Sequence, residues 1–140
     1  MKLQSTKIGI IGLGYVGLPL AIEFSKKFNV VGFDVNDVRI QDLENGLDLT
    51  NEVDESDLKK AKNLVFSSDI DALRVCNFYI ITVPTPININ NQPNLRPLIS
   101  ASNTVAKILK KNDIVVYEST VYPGATWIYR RFIYNNIILF

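Results

Sequence analysis

With 140 residues, 47% of them apolar and 21% charged, the chain has the size and composition of one soluble globular domain. Lys and Arg number 15 against 14 Asp and Glu, so no net field draws it to nucleic acid or to an anionic membrane. Histidine is absent, which removes the commonest metal ligand and the commonest general base, and no metal site is expected. Apolar runs are short and broken by Gly, Pro or Asn, so no transmembrane span is expected, and Ile8 to Ile11 is too short for a signal-peptide core. The single Cys76 cannot close an intrachain disulfide, which fits a reducing cytoplasm.

In chain order the pattern alternates strand and helix. Lys7 to Ile11 is a β-branched run ending at Gly12, and Leu18, Ala21, Ile22 and Ser25 recur at helical spacing between Tyr15 and Lys27. Pro19 is irregular there, because it should remove a helical hydrogen bond or bend the helix. Asn29 to Val35 reads as a second strand, with Asn36 as the N-cap of the next helix and Gly46 as its stop. A polar helix follows over Asp54 to Lys62, then a short strand over Leu64 to Ser67. Asp69 or Asp71 caps a brief helix ending near Cys76. Phe78 to Val83 is a continuous apolar run, as expected of a parallel strand covered on both faces. Pro84 to Asn94 has loop chemistry. Leu95, Leu98, Ile99, Ser102, Val105, Ala106 and Leu109 mark one face of a helix ending at Lys110 and Lys111, and Ile114 to Tyr117 is the fifth strand. Such alternation predicts an α/β Rossmann fold, a doubly wound and mostly parallel sheet of five or six strands.

The strongest chemical signal is Gly12-Leu13-Gly14-Tyr15-Val16-Gly17. It follows a strand, opens a helix, and is followed by an acid, Asp34, at the end of the next strand; that context points to a dinucleotide. Gly12 permits the tight turn, Gly14 lets backbone approach a pyrophosphate, and Gly17 lets helix and sheet pack closely. The helix then directs free amides and its positive dipole end at the phosphates. Asp34 is placed to accept hydrogen bonds from ribose hydroxyls and to repel a 2′-phosphate, which favours NAD over NADP, while Arg39 is near enough in sequence to touch the adenosine end. The plainer alternatives are a glycine-rich turn that binds nothing and an Asp34 that caps the following helix.

Lys7 to Pro19 resembles the amino terminus of the UDP-glucose/GDP-mannose dehydrogenases, and three further blocks agree in order: Val83-Pro84-Thr85-Pro86, Pro93-Asn94-Leu95-Arg96-Pro97-Leu98, and Tyr117-Glu118-Ser119-Thr120-Val121-Tyr122-Pro123-Gly124. The last two look most like the branch acting on UDP-N-acetylhexosamines, which includes enzymes of surface-polysaccharide synthesis. The resemblance implies NAD as cofactor and oxidation of a sugar C6 alcohol to a carboxylate in two NAD-dependent steps through a thiol-bound intermediate. Gly12, Gly14, Tyr15, Val16, Gly17, Asp34 and Arg39 are the cofactor residues expected from the turn and its context; the resemblance adds Pro84 and Thr85 beside the nicotinamide ribose, Ser119 against the cofactor, and Thr120 as a catalytic hydroxyl positioning water. Pro84 and Pro86 as mere loop formers, and Ser119 and Thr120 as turn caps, are the alternatives. Glu118, at the same edge, faces either cofactor or water.

The resemblance runs to about Thr126, so residues 1–126 are read as the NAD-binding domain and residues 127–140, aromatic, basic and apolar, as a tail departing from the family pattern. The family's catalytic cysteine motif and sugar-binding domain find no match; Cys76, in Arg74-Val75-Cys76-Asn77, reads as a buried inert thiol. The expectation is a truncated or frameshifted product, able to bind NAD and engaging a UDP-sugar only if the missing domains are supplied. A non-catalytic NAD-sensing or interaction module is the alternative, and so is a dehydrogenase of another type. Ile137 to Phe140 would add a sixth strand or else drive association into a homo-oligomer.

Overall fold

The computed structural model describes residues 5–87, 89 and 92–119. Thr120, the tail 127–140 and the sixth strand expected of it lie outside the described residues. Five strands, β1 (Lys7–Ile11), β2 (Asn29–Phe33), β3 (Leu64–Ser67), β4 (Phe78–Ile81) and β5 (Ile114–Tyr117), form one sheet in the order β3-β2-β1-β4-β5. All four pairings are parallel, with Ile10 facing Gly32 on one side and Ile80 on the other. The chain leaves β1 toward β2 and β3, then returns to β4 on the opposite flank of β1. That reversal opens a crevice beyond the carboxyl ends of β1 and β4, where open α/β sheets bind ligands.

Both sheet faces are covered, which is why the strands read as continuous apolar runs. Ile8, Ile10 and Ile80 point into one core with Leu13, Leu18 and Ile22. Ile11, Tyr79 and Ile81 point into the other with Leu98, Val105 and Leu73. Helices α1 (Gly17–Ser25), α2 (Asp37–Glu44) and α3 (Glu55–Lys60) contribute to the first core, and α4 (Arg96–Ala106) to the second.

Element edges differ from the sequence expectation in instructive places. Helix α1 begins at Gly17 rather than Tyr15. Leu18 N donates to the Gly14 carbonyl and Leu20 N to the Val16 carbonyl, but Pro19 between them has no N–H for Tyr15. The missing rung falls at the helix entrance, where proline is tolerated. Asn36 caps α2 as expected, its side chain accepting from the amides of Val38 and Arg39. Asp34 is therefore not the cap. Asp69, not Asp71, caps the 3-10 turn Ile70–Val75. Helix α4 stops at Ala106, short of the lysines, and buries Leu98, Ala101, Ser102 and Val105; Ala106 faces outward.

Between α2 and α3 the chain turns around one buried carboxylate. Asp48 Oδ1 accepts from the Thr50 amide at 2.9 Å and its hydroxyl at 2.7 Å, and Oδ2 accepts from the amides of Glu52 and Val53 at 2.9 and 3.0 Å. Arg39 Nη2 lies 2.8 Å from Oδ1. Burial by itself would raise the Asp48 pKa, but the hydrogen bonds from Thr50, Arg39 and Val53 outweigh it and hold the group at about 2.

Two outcomes test these packing arguments. Gly17 crosses β1 so closely that a Cβ there would overlap the Gly12 carbonyl oxygen and lie 2.5 Å from Thr82 Oγ1. Because the obstacle is backbone, Gly17→Ala should destabilise by more than about 3 kcal/mol, beyond ordinary overpacking, and urea unfolding would measure it. For Asp48, the depressed pKa means its stabilisation is present above the ordinary value of 3.8 and is lost as pH falls toward 2. The stability gap between the parent and Asp48→Asn should therefore narrow by about 2 kcal/mol over that window. A gap that stays constant with pH would show that the carboxylate is not depressed.

Candidate functional site

At the crevice, the end of β1 passes into a turn held from three sides. Gly12 adopts φ +99, a left-handed conformation that an L side chain resists. Its amide donates to the Phe33 carbonyl at 2.8 Å, tying the turn to β2. Thr82, just past β4, ties it to the other neighbour: its hydroxyl lies 3.1 Å from the Ile11 carbonyl and 2.7 Å from that of Gly12, and its amide donates to Ile11 at 2.9 Å. Gly14 is different. A Cβ there would meet nothing within 4 Å, so this stretch of backbone faces open space.

Leu13 is the residue through which the turn is anchored. Its side chain is fully buried and rests against Gly32, where a Cβ would come within 3.1 Å. Its amide donates to Asp34 Oδ2 at 2.9 Å, while Asp34 Oδ1 accepts from Asn36 N at 3.0 Å. Its carbonyl accepts from Arg39 Nε at 3.0 Å and Nη2 at 2.8 Å. Both edges of one turn residue are thus bonded to the two side chains that sequence reading assigned to the nucleotide. Arg39 is in turn paired with Asp48, but its Nη1 is buried and has no hydrogen-bond partner. A buried guanidinium nitrogen without an acceptor is costly, so a ligand oxygen there would be favourable.

A cavity of about 400 Å³ opens along these groups, lined by Gly12, Leu13, Gly14, Asp34, Arg39 and Pro84 among others. Of the residues singled out in the sequence, the structure brings together Gly12, Gly14, Asp34, Arg39 and Pro84 on its wall. Gly17 is buried beneath the turn, whereas Tyr15 and Val16 stand exposed on it and are not part of that wall. Thr85 follows Pro84 and is half-buried. Ser119 Oγ donates to the Val83 carbonyl at 2.6 Å, linking the end of β5 to the loop after β4. Glu118 is exposed, and Thr120 lies outside the described residues. Cys76 is buried away from the cavity wall, and burial pushes its thiol up to about 11, which suits a core residue and not a nucleophile.

Sequence reading missed Thr82 and the contribution of α4. Pro97, Ser100, Ala101 and Thr104 close the far wall of the cavity. The i, i+4 spacing of Ser100 and Thr104 was available as a signal, since it marks a small polar stripe beside the buried face of α4. Thr82 gave less warning, because it sits inside an apolar run and reads as a strand residue. The site fits a dinucleotide on its own chemistry: open backbone at Gly14, a carboxylate at the β2 end and an unsatisfied arginine nitrogen.

Comparison with known proteins agrees. The profile of the UDP-glucose/GDP-mannose dehydrogenase family, NAD binding domain, matches residues 6–136. The UDP-N-acetyl-D-glucosamine 6-dehydrogenase of Salmonella typhi is 60% identical over 124 residues, covering 89% of this chain and 29% of the relative. The UDP-N-acetyl-D-mannosamine dehydrogenase of Campylobacter jejuni is 40% identical over 134 residues, covering 88% and 31%. Among solved structures, the UDP-D-ManNAc dehydrogenase of Pyrococcus horikoshii superposes with a TM-score of 0.87 at 29% identity, over 96% of this chain and 35% of that one. The chain thus spans about 30% of the length of these relatives. The Rossmann-type α/β class and the NAD-binding role expected from the sequence agree with these matches, and the chain belongs to the UDP-glucose/GDP-mannose dehydrogenase family as its NAD-binding domain.

Proposed function

We propose that this domain serves a nucleotide-sugar 6-dehydrogenase that oxidises the C6 alcohol of a UDP-N-acetylhexosamine to a carboxylate, for polysaccharide synthesis in the cytoplasm. The oxidation removes four electrons per sugar, and two NAD molecules, when bound, take them up in turn. The chain spans 29% of the Salmonella typhi relative, and in this reading residues 1–126 act as the NAD-binding unit, with a UDP-sugar engaged only if the remaining parts are supplied. The names of the relatives favour an N-acetylated sugar, and the described residues contain no helix long and apolar enough to cross a membrane. Self-association through the apolar tail 127–140 is part of the same reading.

The observation that carries the reading is the pairing of Gly14, open to the solvent side, with Asp34 at the mouth of the same cavity. Each Asp34 oxygen accepts one backbone amide and keeps lone-pair capacity for a ribose hydroxyl. A 2′-phosphate would face that carboxylate with like charge, so NAD is preferred over NADP. The exposed amides of the turn, including Tyr15 and Val16, and the entrance of α1 receive the pyrophosphate. Arg39 reaches the adenosine end, Pro84 and Thr85 border the nicotinamide ribose, and Ser119 lies against the cofactor. Thr120 orients a water for the second oxidation. Its replacement by Ala should leave NAD affinity intact.

Calorimetric titration of the 140-residue chain with NADH and with NADPH tests this directly. Saturable NADH binding, much tighter than NADPH, is the expected result; a folded chain that binds neither would overturn the reading. Gly14→Val should abolish binding by filling the approach to the backbone. Asp34→Asn should weaken NADH by roughly 1.5–3 kcal/mol, the range for hydrogen bonds to a charged group, and narrow its advantage over NADPH.

A further inference from the structure

Asp48 does not line the cavity, yet it is joined to it by an unbroken chain of hydrogen bonds. Its carboxylate is 1% exposed and takes the amides of Thr50, Glu52 and Val53, the Thr50 hydroxyl and Arg39 Nη2. The Arg39 side chain, 11% exposed, spends its Nη2 on both Asp48 and the Leu13 carbonyl and its Nε on the same carbonyl. The Leu13 amide, on the other edge of that residue, is bonded to Asp34. We propose that Asp48 is a positioning residue for NAD: it fixes the Arg39 guanidinium on the Leu13 carbonyl and so sets the shape of the glycine turn before cofactor arrives.

The physical reason lies in what Arg39 would do alone. A long side chain with several rotatable bonds reaches the turn from α2, and a buried charge without a counterion is driven to turn outward to water. With Asp48 in place, the guanidinium is held in one rotamer, neutralised and aimed. The Asp48 carboxylate is itself held mainly by three backbone amides, of Thr50, Glu52 and Val53, which a change in the Thr50 side chain leaves in place. Support of this kind from behind a binding residue raises affinity by removing the ordering cost from the binding step.

The inference rests on the NAD-binding reading, and the parent titration separates the two: if the parent fails to bind NADH, that reading falls first. With a binding parent, Asp48→Asn should raise the NADH Kd about tenfold at a temperature where unfolding curves show it folded. Thr50→Val loosens the same turn but leaves the carboxylate on Arg39, so it should lower the melting temperature and keep the Kd within about twofold. In an Arg39→Met background, Asp48→Asn should add no further loss, because its effect passes through Arg39. Parent-like affinity in Asp48→Asn, an equal loss in Thr50→Val, or additive losses in the double variant would each overturn the proposal. Should Asp48→Asn not fold, Asp48→Glu keeps the charge but shifts the carboxylate by one methylene, and a parent-like Kd there overturns it as well.

Discussion

The crossing of Gly17 over Gly12 sets the geometry on which the site depends. No Cβ fits between Gly17 and the Gly12 carbonyl, and the Thr82 hydroxyl fills the remaining space by donating into the turn. Close packing at this one point brings the start of α1 against the ends of β1 and β4. The turn that precedes the helix, Gly12 to Gly14, is thereby set on the crevice wall beside Asp34. A larger residue at position 17 would push α1 off the sheet and disturb that turn, because interiors packed at crystal density have no slack to absorb a methyl against backbone.

A second feature is that Asp34 and Arg39, which line the cavity, also hold the turn that forms its wall. Asp34 and Arg39 bond the two edges of Leu13, whose side chain is a core residue against Gly32. Each such bond contributes on the order of 1 kcal/mol to the fold, somewhat more where a charge takes part. Their larger effect is on entropy: a turn that is rigid without ligand loses little freedom when ligand binds. The unsatisfied Arg39 Nη1 runs against this economy. A buried donor left without an acceptor is uncommon in folded proteins, and a water, an ion or a bound ligand can each supply the missing partner.

How far the sequence alone reached can be judged at particular residues. Strands β1, β3 and β5 were legible to the residue, because β-branched runs bounded by Gly, Asn or Ser leave few alternatives. Helix ends were legible only where a side chain marks them: Asn36 capped α2 as read, whereas α4, which carries no such cap, ended earlier than its apolar stripe suggested. The glycine turn was legible because each glycine answers a separate steric demand. The place of Asp34 at the end of β2 was legible and puts it on the cavity wall, but its alternative role as a cap was excluded only when Asn36 was seen to hold that position.

Local pattern thus determined the element order, the parallel α/β class and the position of the glycine turn, since these follow from hydrophobic period and from backbone freedom at neighbouring residues. Tertiary structure alone decided that Thr82 clamps the turn, that α4 closes the far wall of the cavity, and that Asp48 stands behind Arg39. The bonds from Thr82 to Gly12 span 70 positions and those from Arg39 to Leu13 span 26. Distances of that kind carry no periodic signature in the chain. They become contacts only when the sheet order β3-β2-β1-β4-β5 brings separate strand ends to one edge.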